Sequence, residues 1–343
     1  MGFAGGAELQ QVLLARELVS GGYEVSFITY DHGQPDISYV EDIEIIKTYP
    51  REKVNKINSF SKFRYILRAL NKAKADLYFH SAGSSGILPF FCSIKKKKFI
   101  YRVPLDEIVL GKTASPILKL LEYLDIKKAN AVVVQTEFQR RKLLENFSVK
   151  GLLIKNAFPV PKAKAEKPDP PTVLWVGRIA KIKQPQIFIE LAKAIPNASF
   201  EMIGGKVMKE PQLYERIRSF AKNLPNLSFH GFVPYNEIDK YFARASIFVN
   251  TSYLEGFPNT FIQAWASYVP VVSLNVDPDG VIQKERIGFC SKTFEQLVTD
   301  VSNLLSNETL RKTMGKNARE YVEKEHNIKK NVKLYCKIFN ALS

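Results

Sequence analysis

The chain has 343 residues, 45% of them hydrophobic, with a formal net charge of +16. That length and apolar content suit two cored domains at about 150 residues each, and no apolar run reaches the about 18 residues of a membrane span. Three cysteines (Cys92, Cys290, Cys336) and four histidines (His32, His80, His230, His326) show no disulfide or metal-ligand spacing, so a reducing cytoplasm and no metal site are expected.

The start, Met1-Gly2-Phe3-Ala4-Gly5-Gly6, lacks the basic-then-apolar pattern of a secretory leader. The positive charge is concentrated. Residues 51–150 hold 21 Lys and Arg against 8 Asp and Glu, whereas residues 1–50 hold 2 against 8. Its densest point is Lys95-Lys96-Lys97-Lys98. Basic patches attract anionic lipid or nucleic acid. No interleaved aromatic and basic motif supports nucleic acid, which leaves an anionic membrane surface or an ordinary solvated face.

In chain order, residues 7–19 have helical spacing, with Leu9, Val12, Leu13, Ala15, Leu18 and Val19 forming an apolar stripe. Strands are predicted at 24–30, 43–46, 77–79, 99–103, 131–134 and 152–154, with helices between them, for example at 117–127 and 137–145. Residues 60–73 are amphipathic, placing Phe63, Ile66, Leu67 and Leu70 among Lys62, Arg64, Arg68 and Lys72. Residues 158–171 are rich in proline and charge and read as a linker. A second series follows: strands at 173–176, 199–203, 227–230 and 247–250, helices near 187–194, 213–221 and 238–243, then helical sequence from about 294 to 341. The alternation implies mostly parallel sheets covered on both faces. A doubly wound sheet also needs a central strand before its first helix. The chain begins instead inside the glycine loop Gly5-Gly6-Ala7-Glu8, so a missing first strand is expected, through truncation or a mis-assigned start, with an unusually built first domain as the alternative.

Two segments carry chemistry. Val176-Gly177-Arg178 through Lys183 is a strand end running into a loop with two cations. Thr251 to Pro270 follows the apolar run 247–249, and Glu255 stands on its strand-to-helix loop. Open α/β sheets bind phosphates and sugars at this edge. Arg178 and Lys183 could hold a diphosphate and offset charge on it as it leaves, and Glu255 could accept from hydroxyl groups. The plain alternatives are a surface ion pair for Arg178 and a capping acid for Glu255.

With these segments the chain resembles the retaining glycosyltransferases of family 4, which have the GT-B fold. The likeness extends to Met202-Ile203-Gly204-Gly205, His230-Gly231-Phe232-Val233-Pro234, Ser252-Tyr253-Leu254-Glu255-Gly256-Phe257-Pro258-Asn259, Pro270-Val271-Val272 and Asp279-Gly280-Val281-Ile282. In the first half it includes Gly5-Gly6-Ala7-Glu8 and Val132-Val133-Val134-Gln135-Thr136-Glu137-Phe138. It implies two Rossmann-like domains facing a cleft: 1–158 on the acceptor side, a linker at 159–171, a nucleotide-sugar domain at 172–325, and a C-terminal helix, 326–343, packing back on the first domain. Arg178 and Lys183 would then hold the donor diphosphate and Glu255 the donor sugar. The amides of Gly256, Phe257, Pro258 and Asn259 would surround sugar and phosphate. Gly177, Gly204 and Val233 would line the nucleotide, with Gly5 and Gly6 approaching its phosphates.

Two positions depart from the family. Gln263 stands where a second glutamate usually binds the ribose. Pro104 stands where many relatives carry a histidine, which moves the polar role to Asp106, with His80 as a second candidate. The expectation is a cytoplasmic, metal-independent hexosyltransferase with no cofactor, peripheral on the inner membrane face. It would use a UDP- or GDP-linked sugar and a glycan or lipid-linked acceptor of envelope polysaccharide or glycolipid synthesis. A nucleotide-sugar epimerase and a non-catalytic nucleotide-sugar-binding protein are the alternatives.

Overall fold

The structure, a computed structural model, describes residues 5–53, 57–81, 86–113, 115–160 and 167–342. It forms two compact units, one of residues 5–155 with 328–342 and one of residues 156–327.

In the first unit α1 (Gly6–Ser20) leads into β1 (Ser26–Asp31), β2 (Ile37–Val40), β3 (Ile43–Pro50), α2 (Ser59–Ala73), β4 (Leu77–His80), α3 (Ile87–Lys95) and β5 (Lys98–Arg102). Then come α4 (Asp106–Val109), α5 (Pro116–Lys128), β6 (Ala131–Val134), α6 (Glu137–Phe147) and β7 (Leu152–Leu153). The strands lie in two sheets, β1-β3-β2 and the parallel β4-β5-β6-β7. Among the described residues no strand precedes α1. One pairing is antiparallel within an otherwise parallel pattern: β2 and β3 form a hairpin. Glu41 and Asp42 turn it with φ of 52° and 61°. That positive-φ pair matches strand twist, but it is usually spelled with Asn or Gly, so the sequence does not announce it.

The second unit holds β8 (Thr172–Val176), α7 (Pro185–Ala194), β9 (Ser199–Ile203), α8 (Pro211–Lys222), β10 (Leu227–Gly231), α9 (Tyr235–Arg244), β11 (Ile247–Asn250), α10 (Asn259–Ala266), β12 (Val271–Ser273), α11 (Val281–Lys284), β13 (Gly288–Cys290), α12 (Phe294–Ser306) and α13 (Glu308–Glu325). The last helix, α14 (Ile328–Leu342), belongs to the first unit. The helical C-terminal sequence thus divides in three. Asn307 starts α13 by accepting from the Leu310 N–H at 2.9 Å, which is the ordinary N-cap device.

The six strands run parallel in the order β10-β9-β8-β11-β12-β13, the order of doubly wound nucleotide-binding sheets. They read as short unbroken apolar runs because both faces are covered. Val173, Trp175, Phe200, Met202, Ile247 and Val249 are all buried, packed with Phe188 of α7 and Ile217 of α8. The proline-rich stretch is not wholly a linker. Phe158 bridges to Asn327, and the Lys167 ammonium donates to the carbonyls of Ala243 and Ser267 at 2.8 and 2.9 Å. Residues 161–166 lie outside the described residues. Among the described residues no helix is long and apolar enough to cross a membrane.

Candidate active site

The chain leaves β8 toward β9 on one side, while β11 lies on the other. Loops leaving the carboxyl ends of such neighbours diverge and open a crevice between them. These are the loops that hold Arg178, Lys183 and Glu255. They are stitched together. The Tyr253 N–H donates to the Ile182 carbonyl at 2.9 Å. Thr251 Oγ1 donates to the Lys183 carbonyl at 2.7 Å and accepts from the Trp175 indole at 2.9 Å.

Above this seam the Lys183 ammonium donates to Oε1 of Glu255, and Ser252 Oγ donates to the same oxygen at 2.7 Å. Both charged side chains are mostly buried. Oε2 of Glu255 makes no hydrogen bond among the described residues. One carboxylate oxygen is therefore committed to the protein, and the other can accept from a ligand. Arg178 is exposed and makes no ion pair or side-chain hydrogen bond among the described residues. The two cations the sequence placed together thus differ: Lys183 is neutralised by Glu255, and Arg178 is not.

Glycines let three loops meet here. A Cβ on Gly204 would lie 2.5 Å from the Gly177 carbonyl and 2.6 Å from Ile179. The Gly177 N–H donates to the Ile203 carbonyl at 3.0 Å, and the Gly204 N–H to that of Gly231 at 2.8 Å. Close packing is therefore reason enough for glycine at 204, apart from any ligand. Val233, half-buried, follows in the loop after β10.

The start of α10 has no side-chain cap. The Phe261 N–H donates to the Pro258 carbonyl at 3.1 Å, and the positive end of such a helix dipole favours anions. Gly256 and Pro258 are buried. The Phe257 ring turns into the core, 6.2 Å from the Trp265 ring of α10 and 4.8 Å from the ring of His326. Asn156 Nδ2 donates to the Phe257 carbonyl at 3.0 Å and to Oδ1 of Asn259 at 2.9 Å. The Phe257 ring and the Asn259 amide thus shape the loop from inside the unit. Gln263, 5% exposed, has an amide nitrogen with no hydrogen-bond partner. It approaches Asp239 of α9 without closing a full hydrogen bond. Burial raises the Asp239 carboxyl, and the nearby Gln263 amide draws it part of the way down. Sequence reasoning missed Ser252, Thr251, Asn156 and Asp239 as supports. Ser252 and Thr251 lie inside the segment it singled out, whereas Asn156 and Asp239 carry no local signal.

The remaining candidates belong to the first unit. Asp106 opens α4, and its Oδ1 accepts from Gln139 Nε2 of α6 at 2.8 Å. Gly5 caps α1 and Gly6 begins it. The Glu8 carboxylate folds back over that start, 2.5 Å from where a Cβ on Gly5 would be, so a phosphate approaching these amides meets a resident anion. His80 ends β4 and stacks on Tyr101 at 5.8 Å. Among the described residues no three His, Cys, Asp or Glu side chains gather as a metal site.

Residues 159–321, which include Arg178, Lys183, Glu255 and Gln263, match the family model for glycosyl transferases group 1. An uncharacterized glycosyltransferase of Haemophilus influenzae is 26% identical over 333 residues, covering 93% of this chain and 92% of that protein. The capsular polysaccharide biosynthesis glycosyltransferase CapM of Staphylococcus aureus is 30% identical over 156 residues, 43% of this chain and 40% of CapM. Among solved structures, Anabaena HepE in complex with UDP-glucose superposes with a TM-score of 0.80 at 14% identity, covering 100% of this chain and 98% of that one. Sucrose-phosphate synthase from Thermosynechococcus elongatus gives 0.79 at 19%, covering 98% and 94%. The fold is GT-B, with two Rossmann-like α/β domains. The sequence matches support glycosyl transfer as the class of activity.

Proposed function

We propose that this chain is a retaining glycosyltransferase of family 4. It moves a hexose from a UDP- or GDP-linked donor to an acceptor hydroxyl of a glycan or lipid-linked molecule in envelope polysaccharide or glycolipid synthesis. The observation that carries this reading is the half-committed Glu255 carboxylate, held by Lys183 and Ser252 on the crevice loops that also bear the exposed Arg178, which makes no ion pair among the described residues.

Oε2 of Glu255 accepts from a donor-sugar hydroxyl and sets the sugar's orientation. The Arg178 guanidinium and the positive end of the α10 dipole take the diphosphate, on which negative charge grows as the bond from C1 to the phosphate oxygen breaks. The acceptor oxygen bonds to C1 from the face the diphosphate leaves. Its proton passes to the departing phosphate oxygen, so the anomeric configuration is kept. The charge is offset by protein groups, which is the basis for reading the enzyme as independent of metal and cofactor. HepE was solved with UDP-glucose, and an α-monoglucosyldiacylglycerol synthase of Acholeplasma laidlawii is 30% identical over 150 residues. They support a UDP-sugar donor and a lipid acceptor; a peripheral position on the cytoplasmic membrane face follows from that acceptor and from the basic first unit.

Incubation with UDP- and GDP-sugars and an acceptor panel, read by mass spectrometry and by NMR of the anomeric proton, tests this. Acceptor-dependent release of nucleotide diphosphate with a retained anomer is expected. Donor interconversion without acceptor would mean an epimerase, and binding without turnover a binding protein.

A further inference from the structure

A surface helix normally turns its apolar stripe inward and its charges outward. Helix α5 does so only in part: Ile126 is buried in the core, but two carboxylates are buried with it and several apolar side chains face outward. Glu122 and Asp125 are buried, and Glu122 Oε2 accepts from Thr113 Oγ1 at 2.7 Å. Ile117 is 71% exposed, and Leu118, Leu120 and Tyr123 stand out beside it. The exposure continues onto the neighbouring helices, through Ile94 of α3 at 61% and Phe60 of α2 at 68%. These helices form one layer. Phe63 of α2 meets Phe90 of α3 ring to ring at 5.7 Å. Gly86, which caps α3, lies so close to Leu121 of α5 that a Cβ there would be 2.6 Å from it.

The charge on this layer has one sign. Segments 57–75, 86–98 and 115–128 contain only two acids, the buried Glu122 and Asp125. Arg64 and Arg68 stand on α2, Lys95 and Lys96 at the end of α3, and Lys119, Lys127 and Lys128 on α5, all exposed, whereas Lys72 of α2 is paired with Asp36 at 3.6 Å. A second copy pairing through this face would set like charges against each other, since a two-fold contact matches a patch to itself. An anionic bilayer complements both features, taking apolar side chains at the acyl boundary and ammonium groups among its phosphates.

We propose that the layer of α5, α3 and α2 docks on an anionic lipid bilayer, with Ile117, Leu120 and Ile94 entering the headgroup boundary. This deepens the proposed membrane-side location and rests on it, but binding can be read without any transfer chemistry.

The test is flotation of the full chain with phosphatidylglycerol–phosphatidylcholine vesicles and with phosphatidylcholine alone, at low and high salt. The chain should float with anionic vesicles only, and high salt should release it. The double variant I117Q/L120Q should lower the partition coefficient about tenfold or more. Both side chains are exposed, so thermal unfolding should be unchanged, and M208Q, at an exposed apolar site in the other unit, should float like the parent. No flotation at low salt would overturn the proposal. So would equal flotation of I117Q/L120Q, or a dimer in solution that this variant dissolves. Transfer to a soluble acceptor, measured alongside, should be unaffected, so loss of docking and failure of the transferase reading are separate results.

Discussion

Lys183 and Ser252 converge on a single oxygen of Glu255, which leaves the other oxygen of that carboxylate without a protein partner among the described residues. Glu255→Gln keeps the size but offers at most one acceptor oxygen. If that oxygen stays with Lys183 and Ser252, an NH2 group faces the ligand and cannot accept from a sugar hydroxyl. We expect kcat/KM for transfer to fall at least about a hundredfold, equivalent to about 2.7 kcal/mol. Stability should fall by about 1–3 kcal/mol, because the mostly buried Lys183 loses its counter-charge. Steady-state kinetics and thermal unfolding check both. Transfer at the parent rate would remove Glu255 from the site.

Arg178 has the opposite signature, because it holds nothing in place. Arg178→Ala should leave unfolding within about 0.5 kcal/mol of the parent. Affinity for UDP or GDP should drop about 10- to 100-fold by calorimetry, as when a charged hydrogen-bond donor is lost. Arg178→Lys should recover part of it as a point charge without the planar fork. Lost stability with unchanged affinity would mark a structural arginine.

The strand ends that carry these residues were legible because buried parallel strands are short, unbroken apolar runs, and 173–176 and 247–250 are bounded by glycine or polar residues. The pairing was not. Nothing in the spacing says that Lys183, rather than Arg178, meets Glu255, since a contact 72 positions apart is made by the sheet order. Asn156 shapes the Phe257–Asn259 loop from more than a hundred positions away and has no local signal. Periodicity identified α5 as a helix, but its face could not be assigned, because inward carboxylates break the usual rule.

Gln263 and Asp239 suggest why a carboxylate is absent at 263. A glutamate there would be buried beside an aspartate whose carboxyl burial already raises. Gln263→Glu should therefore cost about 1–3 kcal/mol at pH 8. Two crowded carboxylates have raised folded-state pKa values, so stability is fullest below their unfolded values and declines as pH rises through the folded ones. The deficit of Gln263→Glu should shrink toward pH 5, and Asp239→Asn added to it should restore the parent's stability. Unfolding midpoints across pH for the parent and the two variants check this; a deficit independent of pH would mean that packing, not charge, sets the choice of residue.

Asp277, in the loop after β12, gives a second pH signature of the same sign. Burial raises its carboxyl; the Ile282 N–H, which donates to Oδ1 at 2.9 Å, and then Lys292 and Lys284 pull it back only in part. A folded-state value above the ordinary one means that the folded chain holds this proton more tightly than the unfolded chain. The stability it adds is complete below the unfolded value, near about pH 4, and is lost as pH climbs through the folded value. Asp277→Asn keeps an oxygen for the Ile282 N–H and cannot ionise. It should match the parent in acid and exceed it in unfolding midpoint at pH 7. If Asp277→Asn is instead the less stable protein at pH 7, attraction to Lys292 and Lys284 outweighs the cost of burying the charge.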